Sequence, residues 1–179
     1  MKRHVALVGF MASGKSTIGR KLARNLNRHF VDTDALIVRA HGPIARIFSE
    51  QGEAAFRDFE HAALREALDT SEACVISLGG GALTKPENRR LLEEYADRVF
   101  IKMSPEQIFS RVLRSREVRP MLGASPTLAR IQELYAKRMA DYESADLIVD
   151  ASHRSDADVI RGIVGWLRAR DDGGRRAES

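Results

Sequence analysis

The sequence predicts an α/β protein with a parallel sheet. Five short apolar runs alternate with longer segments whose apolar residues recur every three or four positions, which is the pattern of strands alternating with amphipathic helices. The first run, residues 5–8, has no polar alternation, as expected for a parallel strand that is covered on both faces. With 179 residues, 44% of them hydrophobic, the chain can form one well-buried domain and is too short for two large ones.

Residues 9–16 follow this first strand and match the phosphate-binding pattern G-x-x-x-x-G-K-[ST]. Ile18, Leu22 and Leu26 continue at helical spacing, so the loop stands at a helix N-terminus, where backbone N–H groups and the helix dipole favour an anion. An ordinary glycine-containing turn is the alternative, but the strand before the loop and the helix after it favour nucleotide binding. The predicted nucleotide-binding residues of the loop are Met11, Ala12, Ser13, Gly14, Lys15, Ser16 and Thr17.

Two of these side chains have a chemistry that the pattern itself predicts. Lys15 would reach the outer phosphates, and the Ser16 hydroxyl would ligate Mg²⁺.

The second predicted strand ends in Asp32 and Asp34, and ligands of open α/β sheets bind beyond the carboxyl ends of the strands. A turn or a helix N-cap is the alternative, and for Asp34 taken alone it is the better interpretation. The third strand ends in Gly79 without an acidic residue, so Asp32 is the nearest candidate to help hold Mg²⁺.

Three further features have both a functional and an ordinary interpretation. Arg57 and Glu60 lie one helical step apart on a helix predicted for residues 53–68, and such a pair is most often an exposed ion pair of little value. The glycine run at positions 79–81 would expose backbone N–H groups to a small ligand, or would form a flexible turn. Arg138 interrupts an apolar helix face, where the alternative to a ligand contact is a side chain that extends toward water.

Arginines at positions 111, 114, 116 and 119 precede Pro120, and Gly123 follows. A nucleic-acid patch is one interpretation of such a run. However, no aromatic residue is interleaved for base stacking and the run is short. Next to a P-loop, a mobile lid that brings an arginine onto a phosphate is therefore favoured.

Composition limits the location and the partners of the protein. The net charge of +4 comes from 29 basic and 25 acidic residues spread along the chain, so no nucleic-acid partner is expected. No run reaches membrane-spanning length, and the single cysteine, Cys74, fits a reducing cytoplasm and a place in the core. The five histidines are scattered, so no zinc site is indicated. Residues 171–179 contain no large apolar side chain, and a disordered tail is expected there.

Taken together in order, these motifs resemble those of the shikimate kinase family, in the group of P-loop kinases similar to nucleoside monophosphate kinases. The resemblance covers nearly the whole chain. It rests on the P-loop, Asp32-Thr33-Asp34, Phe56-Arg57-Asp58-Phe59-Glu60, Gly79-Gly80-Gly81, Arg119-Pro120-Met121-Leu122 and Arg138-x-x-x-Tyr142.

The resemblance implies an architecture and an activity. The architecture is a five-stranded parallel sheet in the order 2-3-1-4-5, flanked by helices, in a single kinase domain over residues 1–170. A substrate-binding subdomain is expected at residues 34–61 and a lid at residues 111–124. The activity is transfer of the γ-phosphoryl group of ATP to the 3-hydroxyl of shikimate in aromatic amino-acid biosynthesis. A cytoplasmic monomer that requires Mg²⁺ and has neither nucleic-acid nor membrane partners is expected.

Roles also follow from the resemblance, residue by residue. Lys15 and Arg119 would contact the migrating phosphate. Ser16 and Asp32 would hold Mg²⁺, and Asp34 would accept or orient the reacting hydroxyl. The substrate would be bound by Arg57 and Arg138 at its carboxylate and by Gly79, Gly80 and Gly81 along its ring.

The chain departs from the family pattern at three places. Ala12 stands where many relatives have glycine, and Met121 replaces a leucine that usually follows the lid proline. The arginine expected to stack on adenine is displaced by one residue. Arg111 or Arg114 would take that role, with Arg154 closing the adenine pocket.

Two other functions are compatible with a P-loop in this context. One is a kinase for another small hydroxy acid such as gluconate, which need not keep both Arg57 and Arg138. The other is a non-catalytic ligand-sensing domain, similar to the kinase-like halves of some bacterial transcription regulators. Those regulators carry a helix-turn-helix segment, whereas only four residues precede the first strand here. The presence of both Asp32 and Asp34 favours an enzyme.

Overall fold

The computed structural model describes residues 3–115 and 118–177. Five strands are present in this part of the chain: β1 (His4–Val8), β2 (Phe30–Asp32), β3 (Val75–Ser77), β4 (Ala96–Lys102) and β5 (Leu147–Asp150). The helices are α1 (Lys15–Leu26), α2 (Thr33–His41), α3 (Ile44–Leu68), α4 (Pro86–Tyr95), α5 (Pro105–Arg114), α6 (Leu128–Glu143) and α7 (Asp156–Ala177). Short 3₁₀ turns occupy Ala82–Thr84 and Pro120–Leu122.

The strands form one parallel sheet in the order β2-β3-β1-β4-β5, which confirms the expected fold. β1 is central, pairs with both β3 and β4, and is buried along its whole length. All five strands end at the same edge of the sheet because they are parallel. The loops that follow β1, β2 and β3 are therefore brought together.

A large apolar core covers both faces of the sheet, and Cys74 lies in it as predicted. A second, smaller cluster consists of Ile37, Ile47, Phe56 and Ala63, at the packing of α2 against α3. The segment that carries Arg57 thus has apolar packing of its own beside the sheet.

Helix α3 is interrupted at Gly52, which has φ 85° and ψ 174°. The interruption coincides with the point where the sequence pattern predicts a new helix to begin. A positive φ is easily adopted only by glycine, so the residue type explains the location of the break.

The C-terminal helix is longer than expected. The sequence predicts a disordered tail over residues 171–179, whereas α7 is assigned from Asp156 to Ala177; residues 178 and 179 lie outside the described part of the chain. The turn of α7 that ends at Arg170 is anchored to the sheet, because the Arg170 guanidinium lies 3.3 Å from Asp97 Oδ1 in β4. The same guanidinium lies 5.1 Å from the centre of the Trp166 ring. Once a helix is held in this way, each added residue adds a backbone hydrogen bond. No helix in the described ranges is both long and apolar enough to cross a membrane.

Candidate active site

The P-loop between β1 and α1 has a backbone that only certain residues accept. Gly9 and Gly14 have φ values of 143° and 96°. A Cβ atom at Gly9 would lie 2.8 Å from the carbonyl oxygen of Ile101, which leaves no room for a side chain. Ala12 also has a positive φ, 60°. That conformation explains why glycine would suit the position where this chain departs from the family pattern.

Lys15 is buried inside this loop. Its Nζ donates to the carbonyl oxygens of Gly9 and Phe10, each at 2.8 Å. Burial lowers the pKa of Lys15 to about 8, against the opposing effect of the nearby Asp34 and Asp32 carboxylates. The P-loop thus holds a cation that an incoming phosphate would stabilise in its charged form.

Ser16 and Asp32 are in direct contact, as a shared metal site requires. Ser16 Oγ donates to Asp32 Oδ2 at 2.6 Å, and Ser77 Oγ lies 3.3 Å from Ser16 Oγ. Asp32 also caps α2, because its Oδ1 accepts from the backbone N–H groups of Asp34 and Ala35. The N-cap alternative therefore applies to Asp32 and not to Asp34.

These oxygens are ligands of the type that Mg²⁺ prefers. No group of three or more His, Cys, Asp or Glu side chains that could hold a metal occurs among the described residues. The arrangement fits an ion that takes one or two protein oxygens and completes its shell with phosphates and water. Ser77 was missed by the sequence reasoning, because only the register between β2 and β3 places it opposite Asp32.

A cavity beside the P-loop brings the remaining predicted residues together. It is lined by Asp34, Arg57, Arg119 and Arg138, all predicted site residues, and by the glycine run at positions 79–81. Ile44, Phe48 and Phe56 provide an apolar side. The cavity therefore combines cationic groups with an apolar surface, as a small organic anion requires.

Arg57 and Glu60 form an ion pair in which Glu60 is buried and Arg57 is partly buried, so the exposed alternative is wrong. Arg57 Nη1 lies 2.7 Å from Glu60 Oε2, and the Glu60 side chain is only 1% exposed. Glu53, which is 50% exposed, contacts the same guanidinium at 3.0 Å. Burial raises the pKa of Glu60 while the Arg57 charge opposes that rise. The pair holds the guanidinium fork in one orientation beside the cavity.

Arg138 does not extend toward water. It is buried, its Nη1 donates to the Gly80 carbonyl oxygen at 3.1 Å, and its guanidinium lies 5.4 Å from the centre of the Phe10 ring. The Tyr142 hydroxyl donates to the same carbonyl oxygen. Burial raises the pKa of Tyr142 to about 12, so this hydroxyl keeps its proton at neutral pH.

The glycine run makes room for the side chains of the site. A Cβ at Gly79 would lie 2.8 Å from Asp34 Oδ1, and one at Gly81 would lie 2.5 Å from Arg57 Cζ. The Gly79 N–H group donates to Thr33 Oγ1 at 3.2 Å. The Gly79 amide is therefore already bonded within the protein, and its place along the substrate ring stays a prediction.

A second cavity, the P-loop cavity, is lined by the P-loop itself. It shares four lining residues with the cavity described above, which takes in Arg57 and Arg138: Met11, Asp34, Gly80 and Arg119. We call this set the shared wall. A phosphate bound on the P-loop and a ligand bound by Arg57 and Arg138 would thus lie on the two sides of Asp34 and Arg119. This is the arrangement that direct transfer of a group between two substrates requires.

The predicted adenine-side arginines are placed differently from one another. Arg111 Nη1 donates to the Ala12 carbonyl oxygen at 3.2 Å, which brings it onto the P-loop. Arg114 Nε donates to the Ser110 carbonyl oxygen of its own helix. Arg154 is exposed in the turn between β5 and α7. Residues 116 and 117 of the predicted lid lie outside the described residues, and position 116 is one of its four arginines.

Comparison with known proteins identifies the family. A sequence model described as shikimate kinase matches residues 11–168. The chain belongs to the shikimate kinase family. The shikimate kinase of Geobacter metallireducens is 40% identical over 169 residues, covering 94% of this chain and 93% of that protein. The shikimate kinase of Geobacter sulfurreducens is 41% identical, covering 93% of this chain and 91% of that protein.

Solved shikimate kinase structures have the same architecture. The Acinetobacter baumannii enzyme, solved in complex with shikimate, superposes with a TM-score of 0.88 at 31% identity over 94% of both chains. A gluconokinase from Sinorhizobium meliloti superposes with a TM-score of 0.66 at 21% identity over 99% of this chain and 98% of that chain, a likeness of fold alone. As a member of the shikimate kinase family, the chain is an ATP-dependent kinase of a small molecule.

Proposed function

We propose that this protein transfers the γ-phosphoryl group of MgATP to the 3-hydroxyl of shikimate. The observation that carries the proposal is the pair of guanidinium groups, the buried Arg138 and the partly buried Arg57, that line a cavity beside the P-loop. Two such groups suit a carboxylate, because guanidinium forks bind carboxylate oxygens with a geometry that lysine does not offer. The family relatives named for shikimate support the choice of acceptor.

On the nucleotide side, the P-loop backbone and Lys15 bind the β- and γ-phosphates. Ser16 and Asp32 are the residues that would hold Mg²⁺, and the Ser77 hydroxyl lies beside them, 3.3 Å from Ser16 Oγ. When bound, the ion supplies positive charge that neutralises the phosphate oxygens. Arg111, already on the P-loop, is the better candidate for the adenine side, with Arg154 as the second.

On the acceptor side, Arg57 and Arg138 hold the carboxylate, so that the reacting hydroxyl faces Asp34. Asp34 orients this hydroxyl and takes its proton as the oxygen attacks the γ-phosphorus and the bond to the β-phosphate oxygen breaks. Arg119, which like Asp34 belongs to the shared wall, stabilises the negative charge on the three oxygens of the migrating group. Gly80 and Gly81 border the ring, and Ile44, Phe48 and Phe56 contact its apolar parts.

The larger organisation that goes with this function is also proposed. Residues 34–61 act as the substrate-binding subdomain, residues 111–124 as the lid, and residues 1–170 as one kinase domain. We further propose that the protein works as a cytoplasmic monomer, without nucleic-acid or membrane partners.

The decisive experiment is a coupled assay of ADP release with MgATP and either shikimate or gluconate as acceptor. We expect turnover with shikimate and none above the ATPase background with gluconate. Asp34→Asn should keep shikimate binding within about threefold and lose at least about a hundredfold in turnover, because an amide accepts a proton poorly. Shikimate binding without any phosphorylation would favour the ligand-sensing alternative, and turnover with gluconate would favour the sugar-acid kinase.

A further inference from the structure

Thr33 lies between the two acidic residues of the site and is fully buried, with 0% exposure. Its hydroxyl makes hydrogen bonds in both directions. Oγ1 donates to the Ser77 carbonyl oxygen at 3.3 Å and accepts from the Gly79 N–H group at 3.2 Å. The chain segment that carries Asp32 and Asp34 is thereby joined to the segment that carries Ser77 and the glycine run.

The position of Thr33 in the sheet explains why a side chain makes this connection. The parallel ladder between β2 and β3 ends with the pair Asp32 and Ser77. Thr33 is already the first residue of α2, so its backbone turns away from β3. The Thr33 hydroxyl, instead of the backbone, makes the hydrogen bond to the last residue of β3. It also provides an acceptor for the buried Gly79 N–H group, which would cost free energy if left without a partner.

We infer that Thr33 is a positioning residue for phosphoryl transfer, acting through the two acids and the glycine run. The inference rests on the proposed function. Gly79 stands directly against Asp34, because a Cβ built there would lie 2.8 Å from Asp34 Oδ1. Asp32, on the other side of Thr33, contacts Ser16 of the P-loop. The Thr33 hydroxyl therefore fixes Asp34 against the acceptor cavity and Asp32 against the P-loop at the same time.

Two substitutions separate positioning from packing. Thr33→Val keeps the branched shape and removes both hydrogen bonds, whereas Thr33→Ser keeps the hydroxyl and removes a methyl group. Thr70→Val serves as the matched control, because Thr70 Oγ1 also donates to a backbone carbonyl, that of Glu72, but at an exposed position near the opposite end of β3.

The first measurement is steady-state turnover with MgATP and shikimate. For Thr33→Val we expect kcat to fall at least about tenfold while both KM values change less than about threefold, as for interactions needed in the transition state. Thr33→Ser and Thr70→Val should retain kcat within about threefold of the unmutated protein. The inference is overturned if Thr33→Val keeps its kcat, or if Thr33→Ser loses as much as Thr33→Val.

The second measurement needs no activity. Amide hydrogen exchange by NMR should show Gly79 at least about tenfold less protected in Thr33→Val, with Ile76 in the β2–β3 ladder unchanged. Unaltered protection of Gly79 would also overturn the inference. If the unmutated protein does not phosphorylate shikimate, the proposed function fails by itself, and the Gly79 exchange result then decides whether Thr33 holds the glycine run.

Discussion

Burial of the Lys15 ammonium makes nucleotide binding depend on pH. Because the pKa of Lys15 is about 8 in the free protein, its ammonium loses its proton as the pH rises through 8. Bound phosphates favour the charged form, so nucleotide binding above this pH requires a proton to be taken up. We therefore predict that the affinity for MgATP falls by up to about tenfold per pH unit above pH 8.

Isothermal titration calorimetry in buffers of different ionisation enthalpy measures both the affinity and this proton uptake. Lys15→Met should bind MgATP more weakly and lose the proton uptake, since no ammonium remains to titrate. An unmutated protein whose MgATP affinity does not change between pH 7 and 9.5 would contradict the lowered pKa.

Glu60 and Glu53 contact the same guanidinium but differ in burial, being 1% and 50% exposed. Breaking a buried ion pair leaves an uncompensated charge and costs about 3–5 kcal/mol, whereas an exposed pair contributes about 0–1 kcal/mol. We predict that Glu60→Gln weakens shikimate binding at least about tenfold, since glutamine can still accept a hydrogen bond from Arg57 but no longer compensates its charge. Glu53→Gln should stay within about twofold.

Calorimetric titration of both variants with shikimate, and then with MgATP, measures the effect. Nucleotide affinity should be unchanged in each variant, because neither glutamate lines the P-loop cavity. Equal effects of the two substitutions on shikimate binding would mean that burial of Glu60 does not hold Arg57.

At this scale, the sequence showed which residue types could act but not how they are buried. The spacing of Arg57 and Glu60 predicts that they pair, and it does not distinguish an exposed pair from a buried one. The hydroxyl groups of Thr33 and Ser77 were not predicted as part of the site. Their contacts join segments 44 and 61 residues apart along the chain, and neither segment has a local pattern that reveals the contact.

Among the elements, the glycine run at positions 79–81 is sensitive to added volume. A Cβ at Gly81 would lie 2.5 Å from Arg57 Cζ, so the Arg57 guanidinium must move if a methyl group is added. We predict that Gly81→Ala weakens shikimate binding at least about tenfold, comparable with the loss of a charge-assisted hydrogen bond. Thermal unfolding and a shikimate titration distinguish this effect from general destabilisation.

Gly162 is the matched control, because it lies within α7 and a Cβ there meets nothing within 4 Å. Gly162→Ala should leave shikimate binding unchanged and stabilise the protein by up to about 1 kcal/mol, as alanine is favoured over glycine in a helix. Retention of full shikimate affinity in Gly81→Ala would show that shikimate binding does not depend on the observed position of the Arg57 guanidinium.

The elements themselves were largely predictable from local sequence. Apolar periodicity predicted the strands, and the helix predicted to begin at residue 53 begins directly after the break in α3 at Gly52. The last two turns of α7 were not predicted, because their anchor at Arg170 depends on Asp97 in β4, which is distant in the sequence. Local composition does not contain that contact.

For the whole molecule, ligand binding adds to the stability of the fold. A ligand present at about 100 times its Kd stabilises the native state by about 2.7 kcal/mol. In a chain of 179 residues this corresponds to a rise in Tm of about 5–10 °C. We predict such a rise with shikimate, none with gluconate, and a loss of the shikimate effect in Arg57→Ala at the same concentration.

Differential scanning fluorimetry measures all three conditions in one experiment. The measurement tests acceptor recognition without requiring turnover. A similar rise in Tm with gluconate would indicate that the two arginines do not discriminate between these acids.

The shared wall of Met11, Asp34, Gly80 and Arg119 lines both cavities, so one set of residues can couple the two substrate affinities. A ligand that orders these residues from one side changes the free energy of binding on the other side. Thermodynamic reciprocity requires the effect to be equal in both directions: whatever factor MgATP applies to the Kd for shikimate, shikimate applies to the Kd for MgATP. A substitution at any of these four positions is therefore expected to change the effect of MgATP on shikimate binding and the effect of shikimate on MgATP binding by the same factor.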